Sequence, residues 1–148
     1  MDYFCSSWIQ DPDLLLWERA YQVLLKEADF YQVMFPEGED IDQKVFPLAK
    51  ELIDRPGVEI SKIDFFPTGS WIYYKGFLDQ EVEDLLLKSL RSGPVFHIIF
   101  LKGDRKIAEG NDYTDFLLFD EDLKRKMLEV FQPWRPILTN KGGRHVKL

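Results

Sequence analysis

Val95-Phe96-His97-Ile98-Ile99-Phe100-Leu101 is almost wholly apolar and is followed at once by Lys102-Gly103-Asp104. A run of this length, rich in β-branched and aromatic side chains, reads as a central strand covered on both faces. Gly103-Asp104 turns the chain back into a strand over Lys106 to Glu109. Gly110-Asn111-Asp112 turns it again into Tyr113 to Phe119, so 95–119 is a three-stranded meander.

Working toward the N-terminus, Val58 to Phe66 and Ser70 to Phe77 are rich in β-branched and aromatic residues around Pro67-Thr68-Gly69. That connection, with glycine where positive φ is needed, makes 58–77 a hairpin. In its first strand Val58 and Ile60 fall on one face while Ile63 and Phe65 fall on the other, which predicts a β-bulge near Ser61-Lys62. Phe30 to Phe35 reads as one more short strand. Hairpin-length connections of this kind favour an antiparallel sheet over a doubly wound parallel one.

The helices are marked by caps and stripes. Asp11-Pro12 opens the first, because a carboxylate caps free N–H groups and proline fits the first turn. Leu14, Trp17, Tyr21, Leu24 and Ala28 carry its apolar face. A second helix presents Val45, Leu48, Ala49, Leu52 and Ile53, with Pro47 kinking it or sitting in its first turn. Asp79 caps a third helix to Arg91, and Asp120 caps a fourth to about Phe131. Beyond Pro133 and Pro136 the chain reads as irregular. The prediction is an α+β domain: a mainly antiparallel sheet of about five strands packed against three to four helices. One compact domain over 1–140 is followed by a flexible basic C-terminal tail over 141–148.

Composition narrows the function classes. The 148 residues carry 19 Lys and Arg against 26 Asp and Glu, a net charge of −7. Lys141, Arg144 and Lys147 lie in the tail, so residues 1–140 hold 16 basic and 26 acidic groups, a body charge of −10. That sign opposes the counterion release that drives nucleic-acid binding. Cys5 is the single cysteine, which excludes an internal disulfide and a thiolate zinc cluster. No apolar run is long enough for a bilayer and no basic leader precedes an apolar stretch, so the expectation is a cytoplasmic protein.

Signals for chemistry are sparse. Ser70 follows Gly69 without the spacing of a nucleophile elbow, and no glycine-rich phosphate loop occurs. Asp112, Asp115 and Asp120-Glu121-Asp122 do not match a calcium loop. No catalytic residue, metal site or cofactor is therefore assigned. His97 lies inside a predicted strand, where desolvation can shift a proton equilibrium, and the alternative expectation is a small-molecule sensor or enzyme with an aromatic pocket between sheet and helices, oriented by His97 or by Tyr73.

The densest charge feature outside the capped helices is Glu37-Gly38-Glu39-Asp40-Ile41-Asp42. It reads either as a solvated loop whose last acids begin the second helix, or as a docking edge for a basic protein, since complementary fields speed encounter and suppress wrong partners. Tyr73 and Tyr74 are the aromatic residues expected on a contact surface. The leading expectation is a small acidic non-catalytic interaction module that binds a basic protein through Glu37, Glu39, Asp40, Asp42, Tyr73 and Tyr74. Immunity proteins and enzyme inhibitors are similarly compact and acidic.

Overall fold

A computed structural model describes residues 2–5, 11–42, 46–65, 67–89, 96–110, 115–130, 137–140 and 145–147. The strands are β1 (Asp2–Cys5), β2 (Phe30–Pro36), β3 (Glu59–Phe65), β4 (Gly69–Phe77), β5 (His97–Lys102), β6 (Arg105–Gly110), β7 (Asp115–Leu118), β8 (Ile137–Asn140) and β9 (His145–Lys147). They form one antiparallel sheet in the order β3-β4-β2-β5-β6-β7-β1-β8-β9. The hairpin is β3-β4 and the meander is β5-β6-β7. β2 joins them into a six-stranded body, because it pairs with β4 on one side and β5 on the other.

The four helices are α1 (Asp11–Glu27), α2 (Pro47–Ile53), α3 (Gln80–Ser89) and α4 (Glu121–Val130). The caps predicted at Asp79 and Asp120 form: Asp79 Oδ1 accepts Val82 N–H at 2.9 Å, and Asp120 Oδ1 accepts Leu123 N–H at 2.9 Å. Pro47 occupies the first turn of α2, where its missing N–H has no intrahelical partner.

One core unites all four helices with one face of the sheet. Tyr21, Leu24, Leu52, Leu86 and Met127 pack with Tyr31, Val33 and Phe35, which alternate along β2 and so share a face. In β5 the residues Ile98, Ile99, Phe100 and Leu101 are all buried, as expected of a strand covered on both sides. No described helix is long and apolar enough to cross a membrane.

Two local expectations are corrected. The β3-β4 register runs unbroken from Glu59 opposite Lys75 to Phe65 opposite Gly69, without the bulge expected near Ser61-Lys62. β3 ends the sheet with all seven of its residues exposed, so neither face is buried and the apolar pattern carries no phase. The irregularity lies instead in the meander, where Phe100 opposes Ala108 but Leu101 opposes Lys106, leaving Ile107 as an extra residue. Beyond Pro133, where irregular chain is expected, β8 and β9 pair with each other and β8 with β1. A strand this short is fixed by its distant partner and leaves little local trace. Residues 141–144 and 148 of the expected tail lie outside the described residues.

Candidate functional site

The acidic segment leaves the end of β2 as an ordered turn. Glu37 N–H donates to Ser70 O at 2.8 Å and Glu39 N–H to Pro36 O at 3.1 Å, with Gly38 at φ 86°. That left-handed φ favours glycine. Asp42 O accepts Phe46 N–H at 2.7 Å before α2 begins. α2 has no acidic residue in its first turn, so the carboxylates of 37–42 do not serve as its start.

This loop stands against the sheet edge. Glu37 reaches Lys62 of β3 at 2.9 Å, and its hydrogen bond and charge hold the Lys62 ammonium above its ordinary pKa. The Asp64 carboxylate accepts from the Ser70 hydroxyl. Glu39, Asp40 and Glu59 are exposed and make no ion pair with any described residue. Beside them Ile60, Ile63 and Phe65 are 67%, 44% and 43% exposed, large apolar groups on a terminal strand.

The tyrosines separate. Tyr74 opposes Val33 on the helix-covered face and is half-buried, whereas Tyr73 opposes Met34 on the helix-free face and is buried. Neighbours in a strand point to opposite faces, so the two rings do not share one surface. Burial, and secondarily the charge of Glu109, push the Tyr73 hydroxyl pKa up.

His97 lies on the helix-free face with Tyr73, since Met34 opposes both across β2. Its Nε2 is 2.7 Å from Glu109 Oε1, and Glu109 Oε2 accepts from Lys106 Nζ at 3.1 Å. The His97 and Glu109 side chains keep 22% and 25% of their exposure. A carboxylate bonded to imidazole fixes its orientation and tautomer, the arrangement used in acid–base work.

Glu109 escapes a sequence reading for a definite reason. Counting back from the 103–104 turn without a bulge places it opposite Ile98, on the core face. The extra Ile107 shifts it opposite Ile99, onto the face of His97.

No family model, curated protein or solved structure matches this chain.

One small cleft closes the other end of the β3 edge. Phe30, Gly57, Glu59, Lys75, Gly76 and Phe77 line a volume of about 150 Å³. Lys75 Nζ lies 4.4 Å from the centre of the Phe30 ring, and the Phe30 and Phe77 rings are 4.9 Å apart. No group of three or more His, Cys, Asp or Glu side chains among the described residues is arranged to hold a metal ion.

Proposed function

We propose that this protein is a non-catalytic interaction module that docks a basic protein partner at the β3 edge, with Glu37, Glu39, Asp40 and Asp42 as its acidic rim. One observation carries the reading: Glu39 and Asp40 are exposed carboxylates without a described ion pair, on a loop tied to a terminal strand whose seven residues, Glu59 among them, are all exposed. Several acids elsewhere have structural tasks. Asp79 and Asp120 cap helices, and Glu27 binds Lys102 and Lys126.

Exposed Ile63 and Phe65 on one face of an edge strand, and Ile60 on the other, next to an acidic loop have the chemistry of a docking site. The body charge of −10 over 16 basic and 26 acidic groups favours a basic partner. An immunity-type or inhibitor-type protein has this character. The test is capture from the native source in three forms: the unchanged protein, the protein with Glu37, Glu39, Asp40 and Asp42 changed to Lys, and a Glu129→Lys control. The reading expects a basic protein retained by the first and third and lost by the second. Unchanged capture after the fourfold reversal overturns it.

A second reading attaches to His97, whose bond to Glu109 beside Tyr73 suits a sensor or enzyme that holds a small polar molecule on the helix-free face. A ligand screen by NMR tests it: binding that perturbs His97, Tyr73 and Glu109 and is lost in Glu109→Gln favours this reading, and hits confined to other surfaces count against it.

A further inference from the structure

We infer that the partner is held by strand addition to β3, through an extended segment whose side chains read basic, apolar, any, any, apolar, basic, apolar against Glu59 to Phe65. The inference rests on the docking reading above and specifies how the partner is recognised.

β3 is the last strand of the sheet, and β4 is its described neighbour. A terminal strand presents a row of backbone donors and acceptors along its outer side, which proteins ordinarily blunt with proline, a bulge, short length or an outward lysine. β3 has seven residues, no proline and an unbroken register. Its one lysine, Lys62, is drawn to Glu37. The edge is thus open to an incoming backbone in the manner of β-augmentation.

The side chains set the code. Ile60, Lys62 and Asp64 oppose Tyr74, Ile72 and Ser70, and so lie on the helix-covered side with Val33 and Phe35. Glu59, Ser61, Ile63 and Phe65 lie on the helix-free side. An added residue shares the face of the residue it opposes. It therefore needs a cation opposite Asp64, where Glu37 and the acidic loop add to the field, and a second cation opposite Glu59. Ile60, Ile63 and Phe65 call for apolar neighbours. Ser61 tolerates most residues, and Lys62 already has its counter-ion.

A second copy of the chain is the competing occupant. Pairing β3 with itself about Lys62 sets that ammonium against its twin, which is destabilising, whereas pairing about Ile63 sets each Lys62 against the copy's Asp64. Dimerisation in the absence of peptide, with β3 amides protected, would assign the edge to a second copy and overturn the inference.

The test uses synthetic peptides with blocked ends and the full-length protein. Val-Lys-Val-Thr-Thr-Val-Lys meets the code in antiparallel pairing. Lys-Val-Lys-Thr-Thr-Val-Val has the same composition and charge but sets its lysines against Phe65 and Ile63. The matched peptide is expected to bind at least ~10-fold more tightly, as several cross-strand pairs would add. It should also slow amide hydrogen exchange within Glu59–Phe65 and lose binding when alternate backbone nitrogens are methylated. Equal binding of both peptides, with both lost in Glu39→Lys/Asp40→Lys, leaves acidic docking standing and overturns strand addition. Absence of β3 protection by the matched peptide at millimolar concentration overturns it as well.

Discussion

Tyr31 fills the space that Gly76 leaves empty. The two oppose each other across β2 and β4, and a β-carbon on Gly76 would stand 2.6 Å from Tyr31 Cζ. The Tyr31 hydroxyl continues past the sheet to donate to Leu52 O at 2.7 Å, so one side chain ties β2, β4 and α2 together. Gly76→Ala is expected to cost ~1–3 kcal/mol, because the ring or the backbone must shift. Tyr31→Phe leaves the Leu52 carbonyl without its donor and is expected to cost about 1 kcal/mol. Urea unfolding of each variant checks both values.

The helix starts give an independent measurement. Asp79→Ala and Asp120→Ala should each destabilise by about 1 kcal/mol through loss of a cap. Each carboxylate also meets an arginine, Asp79 with Arg55 at 2.8 Å and Asp120 with Arg105 at 2.7 Å, so each loss should be at least that of a bare cap. The two caps serve separate helices, so the double variant should show the sum of the two losses.

Stability should fall at both ends of the pH range. Hydrogen bonds from Lys126 and Lys102 hold the Glu27 pKa below its ordinary 4.5, and the Leu123 amide with Arg105 holds the Asp120 pKa below its ordinary 3.8. A carboxylate whose pKa is lower in the folded state stabilises above its unfolded value and loses that contribution as pH falls through the folded one. The acid limb therefore begins near pH 4.5 and deepens below 3.8. Glu27→Gln and Asp120→Asn should flatten it in unfolding midpoints measured against pH.

Tyr31 governs the alkaline side. Burial raises its hydroxyl pKa from 10.0 to about 12. A raised pKa stabilises fully below the unfolded value and is lost as pH rises through the folded one. Tyr31→Phe should lessen the decline between pH 10 and 12, leaving the part that the raised Tyr73 pKa contributes in the same direction, read from the same titration.

Hydrogen exchange should rank the strands by position. Amides of β5, paired on both sides and covered on both faces, are expected to exchange slowest. Outward amides of β3 should exchange fastest among the six strands β2 to β7, and comparable rates in β3 and β5 would contradict the sheet order.

The sequence by itself determined the features that act over a few residues. The apolar run at 95–101 marks β5, Asp79 and Asp120 announce helix starts, Pro47 sets a first turn, and Gly69 supplies the left-handed turn at φ 101°. Each is a local preference of backbone or side chain, legible wherever it occurs. Sheet order decided the rest. β3 mixes three apolar with four polar residues and does not announce its neighbours, and its terminal place leaves Ile60, Ile63 and Phe65 exposed near an acidic loop. The extra Ile107 turned Glu109 from the core face to His97, while alternation set Tyr73 and Tyr74 on opposite faces. Those outcomes depend on which distant strands pair and in what register, and pairing energy is shared between segments that no local window contains together.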